Sequence, residues 1–146
     1  MTCKLTIRYD ANYDAVRNAA SVVRQFASSR PFSKHEVDAI ELAVVEALNN
    51  VVEHAYNPDE HGTFDLAVET DQHSVQVEIT DQGALAPLAF RLANARIRFD
   101  GSDPDAAPTG GMGMALIREL MDHAEYRRKG NLNVLRLTKF HSASPS

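Results

Sequence analysis

The sequence predicts an α+β sandwich, a mostly antiparallel sheet with helices on one face. Three observations carry this. Period-two alternation recurs over residues 4–9, 63–70, 74–80 and 132–140. Long stretches with apolar residues at helical spacing lie between, over 12–29 and 33–56. The strands come in adjacent pairs separated by turn residues instead of alternating singly with helices, which favours antiparallel pairing with the helices segregated to one side.

In 4–9, Leu5, Ile7 and Tyr9 alternate with Lys4, Thr6 and Arg8. Asn12 is suited to cap a helix to about Ser29, in which Val16, Ala19, Ala20, Val23 and Phe26 recur at helical spacing. Ser28-Ser29-Arg30-Pro31 breaks it. Ser33, with Glu36 three residues on, is a capping-box signature for a second helix to about Tyr56. At about 100° per residue, Ile40, Val44, Ala47, Leu48, Val51 and Ala55 share one face, which is expected to meet the core. Residues 57–62 read as a turn, and 63–70 and 74–80 as strands joined at Asp71-Gln72-His73, a hairpin. The Gly-, Pro-, Ala- and Asp-rich stretch 81–111 reads as either a functional lid or a disordered segment, with one short helix over 88–95. A helix over 112–122 and two strands around Lys129-Gly130-Asn131 close the domain, 1–140, before a tail, 141–146, expected to be disordered.

With 146 residues the chain suits one domain. Its 15 basic against 20 acidic residues, a net charge of −5, argue against direct nucleic-acid binding, which needs basic surface. Cys3 is the sole cysteine and the histidines lack metal spacing, which leaves no disulfide and no zinc cluster. No apolar run reaches the roughly 18 residues of a membrane span, and the N-terminus lacks a signal-peptide core. A cytoplasmic protein is expected.

Three segments carry the chemistry. Glu46, Asn50 and Glu53 lie four and three residues apart, on one stripe of the second helix. Such residues ordinarily make a solvated face, but Asn is a poor mid-helix residue, and its oxygen suits a hard cation such as Mg²⁺. Glu46, one turn away, is placed to orient a water or act as a base. Second, the strand over 75–80 ends in Asp81-Gln82-Gly83. A carboxylate there can accept from an exocyclic amine such as that of adenine, and glycine lets the chain approach a flat ring. Third, Gly110-Gly111-Met112-Gly113-Met114 opens a helix, where bare backbone N–H groups bind phosphate. The segment lacks the Lys-Ser/Thr ending of a Walker loop.

In this order the segments resemble the GHKL ATPases, and within them the anti-sigma-factor serine kinases of the RsbW and SpoIIAB type. The 46–56 segment, with its His54-Ala55-Tyr56 ending, is similar to that family's N box. Asp81-Gln82-Gly83 and Gly110–Met114 are similar to its two glycine boxes, and Arg136-Leu137-Thr138-Lys139-Phe140 to its closing strand. The resemblance implies a Bergerat-type fold that binds ATP with Mg²⁺. Asn50 would ligate Mg²⁺, Glu46 would serve as base or water-orienting group, and His54 would lie at the nucleotide. Asp81 would bind adenine with Thr138 supporting it, Gly83 would shape the pocket, and Gly110, Gly111, Met112, Gly113 and Met114 would cradle phosphates. It further implies a homodimer that phosphorylates a serine of a STAS-domain anti-anti-sigma factor and otherwise holds a sigma factor.

The chain departs from the family pattern in two places. Ala84-Leu85-Ala86-Pro87 follows Gly83 without a second glycine, and 99–113 contains no basic residue to meet a γ-phosphate unless Arg96 or Arg98 serves. Phosphoryl transfer depends on offsetting charge, so two alternatives stand beside the kinase. One is a non-catalytic ATP-dependent binding module; the other is a kinase of a signalling complex without a sigma factor.

Overall fold

The computed structural model describes residues 2–56, 61–84 and 112–141. Strand β1 (Cys3–Asp10) leads into α1 (Tyr13–Ser28), whose first turn is capped by Asn12 through its side-chain oxygen and the Ala15 N–H. Helix α2 (Lys34–Asn50) starts at a complete capping box: Ser33 Oγ accepts from the Glu36 N–H at 3.1 Å, and Glu36 accepts from the Ser33 N–H at 2.9 Å. Strands β2 (Thr63–Thr70) and β3 (Ser74–Asp81), helix α3 (Met112–Leu120), and strands β4 (His123–Lys129) and β5 (Leu132–Phe140) follow. Residues 57–60 of the turn expected over 57–62, the short helix over 88–95, and Gly110 and Gly111 lie outside the described residues.

The second helix differs from expectation at its end. Instead of running as an α-helix to Tyr56, it passes at Val51 into a single π-helical turn, Val51–Ala55. The core stripe survives this change: Ile40, Val44, Ala47, Leu48, Val51 and Ala55 are all buried.

The five strands form one sheet in the order β1-β2-β3-β5-β4, and each neighbouring pair is antiparallel. Directly opposed residues share a face. One row across the sheet is therefore Leu5, Val68, Val77, Leu137 and Ala124; the next is Ile7, Leu66, Ile79, Leu135 and Tyr126. These rows face the helices, and their central members are buried with Val23, Ile40, Val44, Met114 and Ile117. The opposite face is polar, with Arg8–Asp65 and Glu78–Arg136 ion pairs. Arg17 and Arg24, which share a face of α1, pair with Asp14 and with Asp38 and Glu41.

At the chain's end, His141 is buried. Its N–H donates to the His73 carbonyl at 2.7 Å and its ring packs edge-on against Phe32, so the last described residue joins the β3 hairpin to the α1–α2 connection.

Candidate functional site

A third row continues the two apolar ones on the helix-facing side: Tyr9, Phe64, Asp81, Asn133 and Arg128. Here the sheet's inner face turns polar, and here a shallow recess opens to solvent. Asn50 and His54 reach it from the helix, and Asp81, Tyr126 and Asn133 from the sheet, with Ala47, Val51, Ala55, Ile79 and Leu135 as apolar wall. Its apolar wall with a few convergent polar groups suits a small ligand.

Asp81 is buried, and burial pushes its carboxyl above the ordinary carboxylate range. Three groups oppose that shift: the Asn133 amide, the Gly83 N–H and, more remotely, the Arg128 guanidinium. Both hydrogen bonds land on Oδ1, from the Gly83 N–H and the Asn133 amide, each at 2.8 Å. Among the described residues Oδ2 accepts none, which leaves one carboxylate oxygen to receive a donor in the recess.

Asn133 holds this arrangement together. Its Nδ2 lies within bonding distance of the Gly83 and Ala84 carbonyls at 3.1 and 2.9 Å as well as Asp81. Its Oδ1 accepts from the Tyr126 hydroxyl at 2.8 Å and from Arg128 at 3.1 Å. Acceptors surround one end of the amide and donors the other, so its orientation is set. Arg128 also donates to the Gly83 carbonyl at 3.0 Å.

The turn after β3 is clamped from the helix side. The Ala55 carbonyl, at the end of the π turn, accepts from the Ala84 N–H at 2.6 Å. A carbonyl at a helix end has no intrahelical donor, and the turn supplies one. Gly83 lies so close that a Cβ there would stand 2.1 Å from the Ala55 oxygen. The Tyr56 hydroxyl donates to the Thr63 carbonyl at 2.6 Å and accepts from the Gln82 N–H at 3.0 Å. Its ring covers Gly62, where a Cβ would stand 2.1 Å from it. The π turn thus lets one segment present Asn50 and His54 to the recess and still grip the Asp81–Ala84 turn.

The other expected site residues fall as follows. Glu46 is half-buried on α2, one turn before Asn50, and does not line the recess. Glu53 turns toward α1, where it accepts from the Tyr13 hydroxyl at 3.2 Å; its carboxylate is 3.7 Å from His54 Nε2. Met112 and Gly113 begin α3, while the Met114 side chain is fully buried in the core. Thr138 is a correction: the register sets it opposite Gln76 and His123, five residues along β5 from Asn133. An odd separation in a strand places the two side chains on opposite faces, so Asn133, and not Thr138, is the β5 side chain at Asp81. Among the described residues no cluster of three His, Cys, Asp or Glu side chains forms a metal site. No described helix is long and apolar enough to cross a membrane.

Residues 9–139 match the family model of the histidine kinase-like ATPase domain. A serine-protein kinase RsbW of Halalkalibacterium halodurans is 37% identical over 120 residues, 81% of this chain and 71% of the relative. The chain belongs to the histidine kinase-like ATPases, in their RsbW-type serine-protein kinase branch. Within that branch the serine/threonine-protein kinase BtrW of Bordetella bronchiseptica is 36% identical over 105 residues, covering 72% of this chain and 70% of the relative. In solved structures, the RsbU and RsbW domains of a Mycobacterium tuberculosis protein superpose with a TM-score of 0.66 at 19% identity, covering 99% of this chain and 34% of that longer one. The shared fold is the α+β sandwich expected from the sequence, and an ATP-binding domain is what this family carries.

Sequence reasoning missed Asn133, Tyr126, Arg128 and the clamp by Tyr56. A signal for Asn133 was present. Gly130 adopts φ +62°, and Lys129 pairs with Leu132 across a two-residue turn. Counting from that turn sets the β4–β5 register and puts Asn133 opposite Arg128.

Proposed function

We propose that the chain is a cytoplasmic, Mg²⁺-dependent protein serine kinase, active as a homodimer, that phosphorylates a STAS-domain anti-anti-sigma factor and in its other state binds a sigma factor. The observation that supports it most is the convergence on one recess of Asn50 and His54 from the helix and Asp81 from β3. Asp81 Oδ2 is the acceptor for the adenine amino group, and Gly83 leaves the ring room. The Asn50 side-chain oxygen fits Mg²⁺, which takes oxygen ligands and completes its shell with water and phosphate. Bound there, the ion would offset charge on the phosphates. Gly110 to Gly113 would hold the phosphates with backbone N–H groups. In the transfer, the γ-phosphorus bonds to the serine Oγ, its bond to the β–γ bridging oxygen breaks, and the hydroxyl proton passes to Glu46.

Incubation with γ-labelled ATP, Mg²⁺ and a STAS protein is expected to label one serine of that protein, with Asn50→Ala removing the label. Full labelling by Asn50→Ala would remove Asn50 from the role given to it. ATP binding without transfer to any STAS protein would instead favour an ATP-shaped binding module, the reading that the absence of basic residues over 99–113 suggests.

A further inference from the structure

Alternation along β4 turns Arg127 and Lys129 to the outer face of the sheet and Arg128 to the inner one, in the same row as Asn133 and Asp81. Arg128 is exposed, yet its guanidinium is held at three points. Nε donates to the Gly130 carbonyl at 3.3 Å, and Nη1 lies 3.0 Å from the Gly83 carbonyl and 3.1 Å from Asn133 Oδ1. Nη1 carries two hydrogens, one for each acceptor. At Asn133 the count does not balance so easily. Nδ2 also carries two hydrogens but has three acceptors in reach: Asp81 Oδ1 at 2.8 Å, the Ala84 carbonyl at 2.9 Å and the Gly83 carbonyl at 3.1 Å. Another donor must serve one of them if Asp81 is to keep its bond, and Arg128 serves Gly83. At Oδ1, the same guanidinium and the Tyr126 hydroxyl stop the amide from turning its oxygen toward the carboxylate.

We infer that Arg128 is a positioning residue for adenine recognition, acting through Asn133 and the Gly83 carbonyl to hold the Asp81 carboxylate with Oδ2 toward the base. The inference rests on the adenine role given to Asp81 in the proposed function. Burial pushes the Asp81 carboxyl up, and the Asn133 amide, the Gly83 N–H and the Arg128 charge oppose it. The first and last of these opposing groups depend on Arg128. The other titratable groups around Asp81 are, among the described residues, His54 from the π turn and Tyr126 from β4 on the recess side, and the Arg8–Asp65 pair on the outer side. A 6-aminopurine donates to a carboxylate, whereas a 6-oxopurine sets oxygen against oxygen. A carboxyl that takes up a proton loses this discrimination, because its O–H can donate to the 6-carbonyl. Arg128 therefore acts on the choice of base and on the pH range over which that choice is made.

Calorimetric binding of ATP and of inosine triphosphate to the full chain, from acid to neutral pH, tests it. The wild type is expected to prefer ATP and to lose that preference on acidification. Arg128→Gln should lose roughly threefold to tenfold in ATP affinity, the scale of one weakened hydrogen bond, and much less for inosine triphosphate. The pH at which the preference is lost should move upward, because removing a positive charge disfavours the carboxylate. Arg128→Lys keeps the charge and should bring that pH back toward the wild-type value. Lys129→Gln removes a charge from the outer face of the same strand and should leave preference and pH profile unchanged. Equal losses for the two nucleotides in both Arg128 variants would assign Arg128 to the phosphates and overturn the inference. A preference whose pH profile is the same in Arg128→Gln as in the wild type would overturn it too. Both results leave Asp81 its adenine role. A wild type that binds the two nucleotides equally at every pH overturns that role, and the inference with it.

Discussion

Asp81 carries opposing demands. Burial raises its pKa, while the Asn133 amide, the Gly83 N–H and the Arg128 charge pull it back. The net direction is upward, so the folded state favours the protonated acid more than the unfolded chain does. This group's contribution to stability is therefore fully present below the ordinary aspartate pKa and is lost as pH rises through the raised folded value. Binding has the opposite sign, because protonation at Oδ2 turns the strong carboxylate acceptor into a donor O–H facing the adenine amine. On acidification, ATP affinity is expected to fall at a pH above the ordinary aspartate range, which calorimetry across pH 4 to 7, roughly the range bracketing carboxylate and histidine titration, would reveal. Asp81→Asn keeps an acceptor for Asn133 and Gly83 but presents an amide donor to the base. It is expected to raise the melting temperature at neutral pH and to lose at least about tenfold in ATP affinity, the scale of one buried hydrogen bond. It should also narrow the preference for ATP over a 6-oxopurine triphosphate. An unchanged preference would mean that Asp81 does not read the base.

The elements explain why the site is held where it is. Helix α2 is started by the Ser33–Glu36 box and finished by a π turn whose last carbonyl is satisfied by the Ala84 N–H. Ser33→Ala should cost about 1 kcal/mol of stability, read by denaturant unfolding, and leave ATP affinity unchanged because the cap is at the far end of the helix. Changes at the near end should act on both. Gly83→Ala drives a Cβ into the Ala55 carbonyl, so it is expected to destabilise by about 1–3 kcal/mol and to impair ATP binding. Tyr56→Phe keeps the ring over Gly62 but removes the hydroxyl that joins Thr63 to Gln82. The expected loss is about 1 kcal/mol, or roughly fivefold in ATP affinity, with the turnover rate at saturation preserved. A fall in turnover with unchanged affinity would place Tyr56 in the chemistry instead of the clamp.

At the scale of the molecule, a ligand that binds only the folded state stabilises it by mass action. ATP with Mg²⁺ at a hundred times its dissociation constant should add about 2.7 kcal/mol. For a domain of this size that corresponds to roughly 5–10 °C in melting temperature. Differential scanning fluorimetry should show the rise with ATP and Mg²⁺ together, and Asn50→Ala should remove the part that depends on Mg²⁺. The described sheet covers its inner face with α1, α2 and α3, leaving the outer face polar and the β1 edge free.

Much of this was legible in the residues alone. The caps at Asn12 and Ser33, the core stripe of α2 and the alternation in β2 and β3 are local consequences of side-chain shape and period, and the folded chain keeps them. Asn50 and Asp81 were legible as candidates for a similar reason, since an Asn in mid-helix and an Asp-x-Gly at a strand end are unusual in their own local context. What surrounds Asp81 was not. Asn133 and Arg128 come from strands some fifty residues away in sequence, as the Asp81–Asn133 separation of 52 shows, and only inter-strand register decides which residue of β5 arrives there. A one-residue difference in that register exchanges the faces of the sheet, which is why Thr138 lies on the outer face and Asn133 at the site. The π turn was equally hidden, because no local pattern in Val51–Ala55 announces it and its last carbonyl is met only across the fold, by the Ala84 N–H.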